Sequence, residues 1–232
     1  MQVGRSTHRN SARAVIIDLD GVLVNSEPLK YESYRRVLEG FSVKLDKTEY
    51  QDKGVGAARQ EVCAWLVKRF RLPVSPEELG RIRSAAYRTL AHKQKPLLDG
   101  VAFVRACAPF LRVAVATSTE AEFARQALSN TGVAELVQFV LSDEDVQRHK
   151  PAPDIYLLGA RKLNLPPASC VAVEDTAIGI KAARRAGLHC IARPNRFTAG
   201  QDFTEADLIV KSLTDPSVFD FLGISRRDEG ES

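Results

Sequence analysis

The stretch Ala14-Val-Ile-Ile-Asp-Leu-Asp-Gly-Val22 decides the fold. A short apolar run ended by Asp-x-Asp-Gly reads as a buried parallel strand that carries two carboxylates to its C-terminal tip. In open α/β sheets that tip is where ligands bind. Residues two apart on a strand share a side, so Asp18 and Asp20 converge on one spot. Gly21 lets the chain leave the strand in a backbone geometry that other residues resist. Two converging acids call for a counter-ion, most simply a divalent cation, and suit a nucleophile paired with a proton donor.

Outward from this strand the rhythm changes. Between about Pro28 and Lys95 there is no further strand-like run; helix-period segments fill it, at Tyr31 to Leu38, Glu61 to Phe70 and Glu77 to His92. After Leu98 strand and helix alternate: strands at Arg112–Ala116, Val137–Leu141, Cys170–Val173, His189–Ala192 and Asp207–Val210, and helices at Glu120–Ser129, Pro153–Leu163 and Ala177–Ala186. Repeating βα units imply an α/β fold, a Rossmann-like parallel sheet with helices on both faces. The expected organisation is a catalytic core over residues 14–27 and 96–225, an inserted helical cap domain over 28–95, and a disordered tail over 1–13. The crossings fall near the tip of the first strand, which puts the insert over the site as a lid. The polar end, Arg226 to Ser232, reads as frayed.

Bulk properties narrow the function. The chain has 232 residues, enough for a substantial core. A surplus of 33 basic over 29 acidic side chains is too mild, and too scattered, for a nucleic-acid surface. No stretch approaches the ~18 apolar residues of a membrane span. Cys63, Cys107, Cys170 and Cys190 form no C-x-x-C pair, which argues against structural zinc and fits a reducing compartment. The expectation is a cytoplasmic monomer whose partner is a small molecule, neither nucleic acid nor membrane.

Three further strand tips carry reactive groups. Thr117 and Ser118 follow one strand just before a helix N-terminus, an arrangement that cradles anions. Lys150 lies in Lys-Pro-Ala-Pro-Asp154, where two prolines stiffen the segment. Glu174 and Asp175 end another strand. Each has a plainer reading: a turn for Asp-x-Asp-Gly, helix caps for Thr117, Ser118, Glu174 and Asp175, and a solvated side chain for Lys150. Their joint occurrence favours a single site.

Charge arithmetic then selects the chemistry. Like charges about 4 Å apart repel by about 4 kcal/mol at an effective dielectric of about 20. Four carboxylates alone would oppose one another and repel a phosphate. Mg²⁺ together with Lys150 makes them compatible with one, because a hard cation takes oxygen ligands and leaves room for substrate oxygens. Phosphoryl transfer is chiefly positioning and neutralisation, here by Thr117, Ser118, Lys150 and the metal. Asp18 is assigned as the nucleophile, forming an aspartyl-phosphate, and Asp20 as the group that protonates the leaving alcohol and then activates water.

Asp18-Leu-Asp-Gly-Val-Leu-Val, Thr117, Lys150-Pro-Ala-Pro-Asp and Val173-Glu-Asp-Thr-Ala-Ile-Gly-Ile180 together resemble the four motifs of the haloacid dehalogenase superfamily, in its β-phosphoglucomutase and phosphoglycolate phosphatase-like branch. The resemblance spans about Ala14 to Leu213. It implies a metal held by Asp18, the Asp20 backbone carbonyl and Asp175, with Glu174 assisting, and a four-helix-type cap. It also implies cap residues that read the substrate. Arg59, after Gly54-Val-Gly56, is similar to the arginine that such caps use, and Arg83 and Lys30 are further candidates, against the commoner fate of solvent-facing cations. The chain departs from the mutases in three places. Lys30 stands where they carry histidine, Asn25 where Asp is common, and Glu120 where they carry a basic residue. These departures favour a Mg²⁺-dependent phosphatase of a small phosphorylated metabolite, such as a sugar phosphate. A phosphomutase is the alternative, and a non-catalytic binding protein on the same scaffold a remoter one. A dehalogenase needs no metal and would leave Glu174-Asp175 without a role.

Overall fold

The computed structural model describes residues 12–224. In chain order the elements are β1 (Ala14–Ile17), β2 (Val24–Asn25), α1 (Glu27–Glu39), α2 (Lys47–Gly54), α3 (Arg59–Phe70), α4 (Pro76–Ala91), β3 (Lys95–Pro96), α5 (Leu98–Cys107), β4 (Arg112–Ala116), α6 (Ala121–Ser129), β5 (Val140–Leu141), α7 (Asp154–Lys162), β6 (Cys170–Glu174), α8 (Ala177–Arg185), β7 (His189–Ala192), β8 (Leu208–Ile209) and α9 (Pro216–Leu222).

Six strands form one parallel sheet in the order β5-β4-β1-β6-β7-β8. β1 lies between β4 and β6, with Ile17 in register with Val115 and Val173. The two-residue period sorts side chains by size. Val15, Ile17, Val113, Val115, Val171, Val173 and Ile191 face α5, α6 and α9. Ala14, Ile16, Ala114, Ala116, Cys170, Ala172, Cys190 and Ala192 face α7 and α8. The second face is mostly alanine and cysteine, so α8 can lie close to the sheet through its own Ala182 and Ala183, both 0% exposed. All four cysteines are buried and free.

Helices α1–α4 hold a separate apolar cluster that includes Tyr34, Leu38, Tyr50, Leu66 and Leu79. Their starts follow local chemistry. Asp46 caps α2 by accepting from Glu49 N–H, and Ser75 caps α4 by accepting from Glu78 N–H, with Pro76 in the first turn. Where the chain leaves and rejoins the sheet layer, β2 and β3 pair antiparallel, Val24 against Pro96. The helical block meets the core through the edge-on contact of Tyr87 in α4 with Phe123 in α6, ring centroids 4.9 Å apart.

The parallel sheet and the helices on both its faces are as the sequence suggests, with local differences. The strand expected over Val137–Leu141 is only Val140–Leu141; Val137 closes a 3₁₀ turn over Ala134–Leu136, while Gln138 N–H still donates to Val113 O and Phe139 O still accepts from Val115 N–H. The last strand shrinks to Leu208–Ile209, α2 is a helix of the expected helical cap that had not been placed, and α5 and α9 fall where no helix was expected. Most of the expected N-terminal tail and all of the frayed end lie outside the described residues. Arg13, placed with the tail, instead belongs to the sheet: its N–H donates to Ser169 O and its carbonyl accepts from Arg112 N–H. Among the described residues no helix is long and apolar enough to cross a membrane.

Candidate active site

The tips of β1, β4 and β6 bring the expected residues together. Asp18 follows β1 directly, and its N–H donates to Val173 O at 2.9 Å, so the ladder with β6 carries it to the tip beside Glu174 and Asp175. Gly21 turns the chain at φ +76°, and a Cβ there would overlap the Asp175 carboxylate. Only glycine serves at this position.

Asp18, Glu174 and Asp175 are all buried, and each offers a carboxylate oxygen, these atoms lying within 4.8 Å of one another. Burial pushes the Asp18 carboxyl up to about 7 against the pull of Lys150, with Glu174 and Asp20 pushing the same way. Burial, then the charges of Asp18 and Glu174, push Asp175 well above the carboxylate range. Three buried, mutually repelling oxygen donors fit a hard divalent cation such as Mg²⁺. Sulfur and nitrogen donors are absent from this cluster.

Lys150 is the cation that pairs with Asp18 and Glu174. It is 3% exposed, and its ammonium donates to Asp18 Oδ1 at 2.6 Å, to Glu174 Oε1 at 2.7 Å and to Ala116 O at 3.1 Å. Burial opposes its charge, but the two carboxylates raise its pKa overall. The Tyr156 hydroxyl donates to Glu174 Oε1 at 2.5 Å and the Thr176 hydroxyl to Oε2 at 3.2 Å. Asn195 Nδ2 donates to Asp175 Oδ2 at 2.6 Å. These three holders come from α7, the α8 N-terminus and the loop after β7, and the sequence reading missed them.

Asp20 is held differently. Its carboxylate accepts from the Thr119 hydroxyl at 2.6 Å, from Thr117 at 3.1 Å and from Ser26, and meets Lys30 Nζ at 3.0 Å. Although burial works against it, Lys30 and the hydroxyls hold the Asp20 carboxyl below its ordinary value. Thr117, expected to bind phosphate, here commits its hydroxyl to Asp20. Ser118 lines the cavity beside Asp18, Asp20, Lys150 and Asp175. The Asp20 side chain stands apart from the three-acid cluster.

The helical block closes over these groups. Lys30, for which a solvent-facing position was the commoner expectation, turns inward because Asp20 and Glu27 pair with it, at 3.0 and 3.4 Å. Arg83 is likewise buried, stacked on Tyr34 and Tyr87 with its guanidinium carbon 4.8 and 4.4 Å from the ring centroids. Arg59 is half-buried and reaches Glu120 at 3.4 Å. A cavity of about 30 Å³ between block and core is lined by Lys30, Arg59, Arg83 and Ser118 among others, and one of about 20 Å³ lies over the acids. Each has room for roughly one or two waters.

The sequence model of the haloacid dehalogenase-like hydrolases matches residues 12–187. The chain is 30% identical over 215 residues to the protein CbbY of Rhodobacter capsulatus, covering 87% of this chain and 94% of that one. It is 31% identical over 182 residues to the phosphorylated carbohydrates phosphatase of Thermotoga maritima, covering 77% and 83%. The crystal structure of CbbY from Rhodobacter sphaeroides in complex with phosphate superposes with a TM-score of 0.78 at 25% identity, over 88% of this chain and 96% of that one. The chain belongs to the haloacid dehalogenase-like hydrolases. Within that family it is a phosphoric monoester hydrolase.

Proposed function

We propose that this chain is a Mg²⁺-dependent phosphatase of small sugar phosphates that works through a phospho-Asp18 intermediate beneath a mobile helical cap, residues 28–95. One observation carries the reading: Asp18 and Asp20 line the same cavity, yet only Asp18 joins the acid cluster while Asp20 is bonded away from it. That division suits a nucleophile and a separate proton carrier. The T. maritima relative, named for phosphorylated carbohydrates, supports the substrate class. Buried free cysteines are consistent with a reducing, cytoplasmic setting.

Asp18, the Asp20 carbonyl and Asp175 would hold Mg²⁺, with Glu174 beside them. When bound, the ion neutralises phosphate oxygens and offsets the repulsion among the acids. An Asp18 oxygen attacks phosphorus, the ester P–O bond breaks, and protonated Asp20 gives its proton to the leaving oxygen. Asp20 then takes a proton from water as that water attacks phosphorus. The Asp18–phosphorus bond breaks, and inorganic phosphate leaves. Lys150 pulls Asp18 toward its ionised form against burial, and Lys30 keeps Asp20 ionised in the closed, substrate-free arrangement, the form that activates water for the second half. The narrow space between cap and core suits a cap that lifts to admit an ester and closes again over it.

Phosphate release from a metabolite library with Mg²⁺ tests the reading directly. Hydrolysis of sugar phosphates that chelation stops and Asp18→Asn abolishes, the variant remaining folded by circular dichroism, is the expected result. Normal turnover by Asp18→Asn, or hexose phosphate isomers appearing in place of free phosphate, counts against it.

A further inference from the structure

Glu120 stands at the N-cap position of α6, yet its side chain does not cap that helix. The Ala121 N–H there donates to Glu144 instead, at 3.1 Å. The Glu120 carboxylate crosses from the core to the helical block. It accepts from the Ser84 hydroxyl at 2.8 and 3.0 Å, and pairs with Arg59 Nη1 at 3.4 Å and Arg83 Nη1 at 3.5 Å. Both arginines of the far end of the cavity are thus engaged by one core acid.

The rest of that end is consistent with this. Arg83 spends its Nε on Ser33 at 3.0 Å and its faces on Tyr34 and Tyr87. Glu27, 5% exposed, adds a second carboxylate to the lining and accepts from the Tyr50 hydroxyl at 3.4 Å. At the far end each cation, Lys30 included, is therefore paired with a carboxylate, and Arg59 Nε is left as a buried donor without a partner.

A hydroxyl both donates and accepts, so it can accept from Arg59 Nε–H and donate to Glu120 or Glu27. A phosphate or carboxylate only accepts, and would meet those two acids at close range. We infer that Glu120 is a specificity-determining residue: by occupying Arg59 and Arg83 it selects phosphate monoesters whose far end carries neutral hydroxyls, against esters with a second anionic group. This rests on the hydrolase reading above and narrows its substrate class.

The test compares kcat/KM for matched pairs, hexose and pentose monophosphates against the corresponding bisphosphates, with full-length protein and Mg²⁺. An aryl phosphate too small to reach Glu120 serves as the reference substrate. Wild type should favour the monophosphates by about tenfold or more, since a like charge built into a site works as rejection. Glu120→Gln should reduce that preference by about tenfold, chiefly through a lower KM for the bisphosphates, while Glu120→Asp keeps it. A wild type that prefers bisphosphates, or shows no preference, overturns the inference without recourse to any variant. So does a folded Glu120→Gln with an unchanged ratio, or hydrolysis of the aryl phosphate with no sugar phosphate turned over. Release from no ester at all, the aryl phosphate included, removes the hydrolase reading and this inference with it.

Discussion

The Lys150 ammonium lies 2.6 Å from Asp18 Oδ1, and both groups are buried, at 3% and 9% side-chain exposure. A buried pair is worth little against an apolar replacement of both partners, but removing one partner strands the other. Lys150→Met would leave Asp18 facing Glu174 and Asp20 with no cation between. The variant should lose about 3 kcal/mol of stability in denaturant titration, the low end of the cost of breaking such a pair, since Asp18 can relieve itself by taking a proton. A protonated Asp18 is no nucleophile, so kcat should fall by about 100-fold or more, comparable to removing one fixed electrostatic contact in other sites. Retained turnover in a folded Lys150→Met would contradict the role given to this lysine.

The acid cluster makes a separate prediction about metal. Asp175 is driven well above the carboxylate range by burial and then by Asp18 and Glu174. An ion that binds the folded state alone stabilises it by mass action, about 2.7 kcal/mol at a hundredfold excess over Kd. Mg²⁺ should therefore raise the Tm of wild type in chelator-treated solution. Asp175→Asn removes one of the repelling charges and keeps an oxygen for Asn195 Nδ2 to donate to. It should melt higher than wild type in chelator and gain no further Tm from Mg²⁺. An equal Mg²⁺ shift in both proteins would remove Asp175 from the ligand set.

How much of this was legible follows from what each residue depends on. Ala14–Ile17 and Cys170–Glu174 are buried on both faces, so their apolar runs are continuous, and the groups at their tips are fixed by local chain order. α2 could not be read because Lys47–Gly54 buries only Tyr50 and Gly54 and has no apolar period. α5 was hidden by its composition: Leu98 is 81% exposed, and Gly100 sits in the first turn because a Cβ there would run into the Val22 carbonyl. Glu27 and Glu120 escaped for another reason, and Lys30 was named only as a cap cation without its partners Asp20 and Glu27. Their long side chains turn inward only once cap and core meet, a tertiary event with no periodicity to announce it. The one available signal was Glu120 standing where related mutases carry a basic residue.

Asp143 supplies a pH signature away from the acid cluster. Burial, then the charge of Glu120, push its carboxyl from 3.8 up to about 6, and its Oδ1 has no hydrogen-bond partner. The folded state thus holds this proton more tightly than the unfolded chain. The contribution to stability is complete below about pH 4 and is lost as pH rises through about 6. Asp143→Asn cannot ionise, so its stability should stay flatter across that window. At pH 7 the variant should exceed wild type by about 1 to 2 kcal/mol, a figure reduced from the full shift because the carboxyl retains some solvent. Denaturant midpoints for both proteins at several pH values between these limits give the comparison, and parallel curves would refute the assignment.

Gly179 gives a prediction whose sign runs against helix propensity. Glycine inside a helix usually costs roughly 0.5–1 kcal/mol relative to alanine, so Gly→Ala at an ordinary helical site stabilises. At position 179 of α8 the added Cβ would fall on the Glu174 carboxylate itself. That carboxylate is 1% exposed and already bonded to Lys150, Tyr156 and Thr176, so it has nowhere to retreat without breaking those bonds. Gly179→Ala should therefore destabilise by about 1–3 kcal/mol, the usual cost of overpacking. Displacing Glu174 also moves the partner of Lys150, so Mg²⁺-dependent activity should fall along with Tm. Gly200→Ala is the control, since a Cβ there meets nothing within 4 Å. Its stability should match wild type or rise by a few tenths of a kcal/mol through the unfolded chain alone. A Gly179→Ala protein as stable and active as Gly200→Ala would mean that the tight seating of Glu174 against α8 has no part in holding the site.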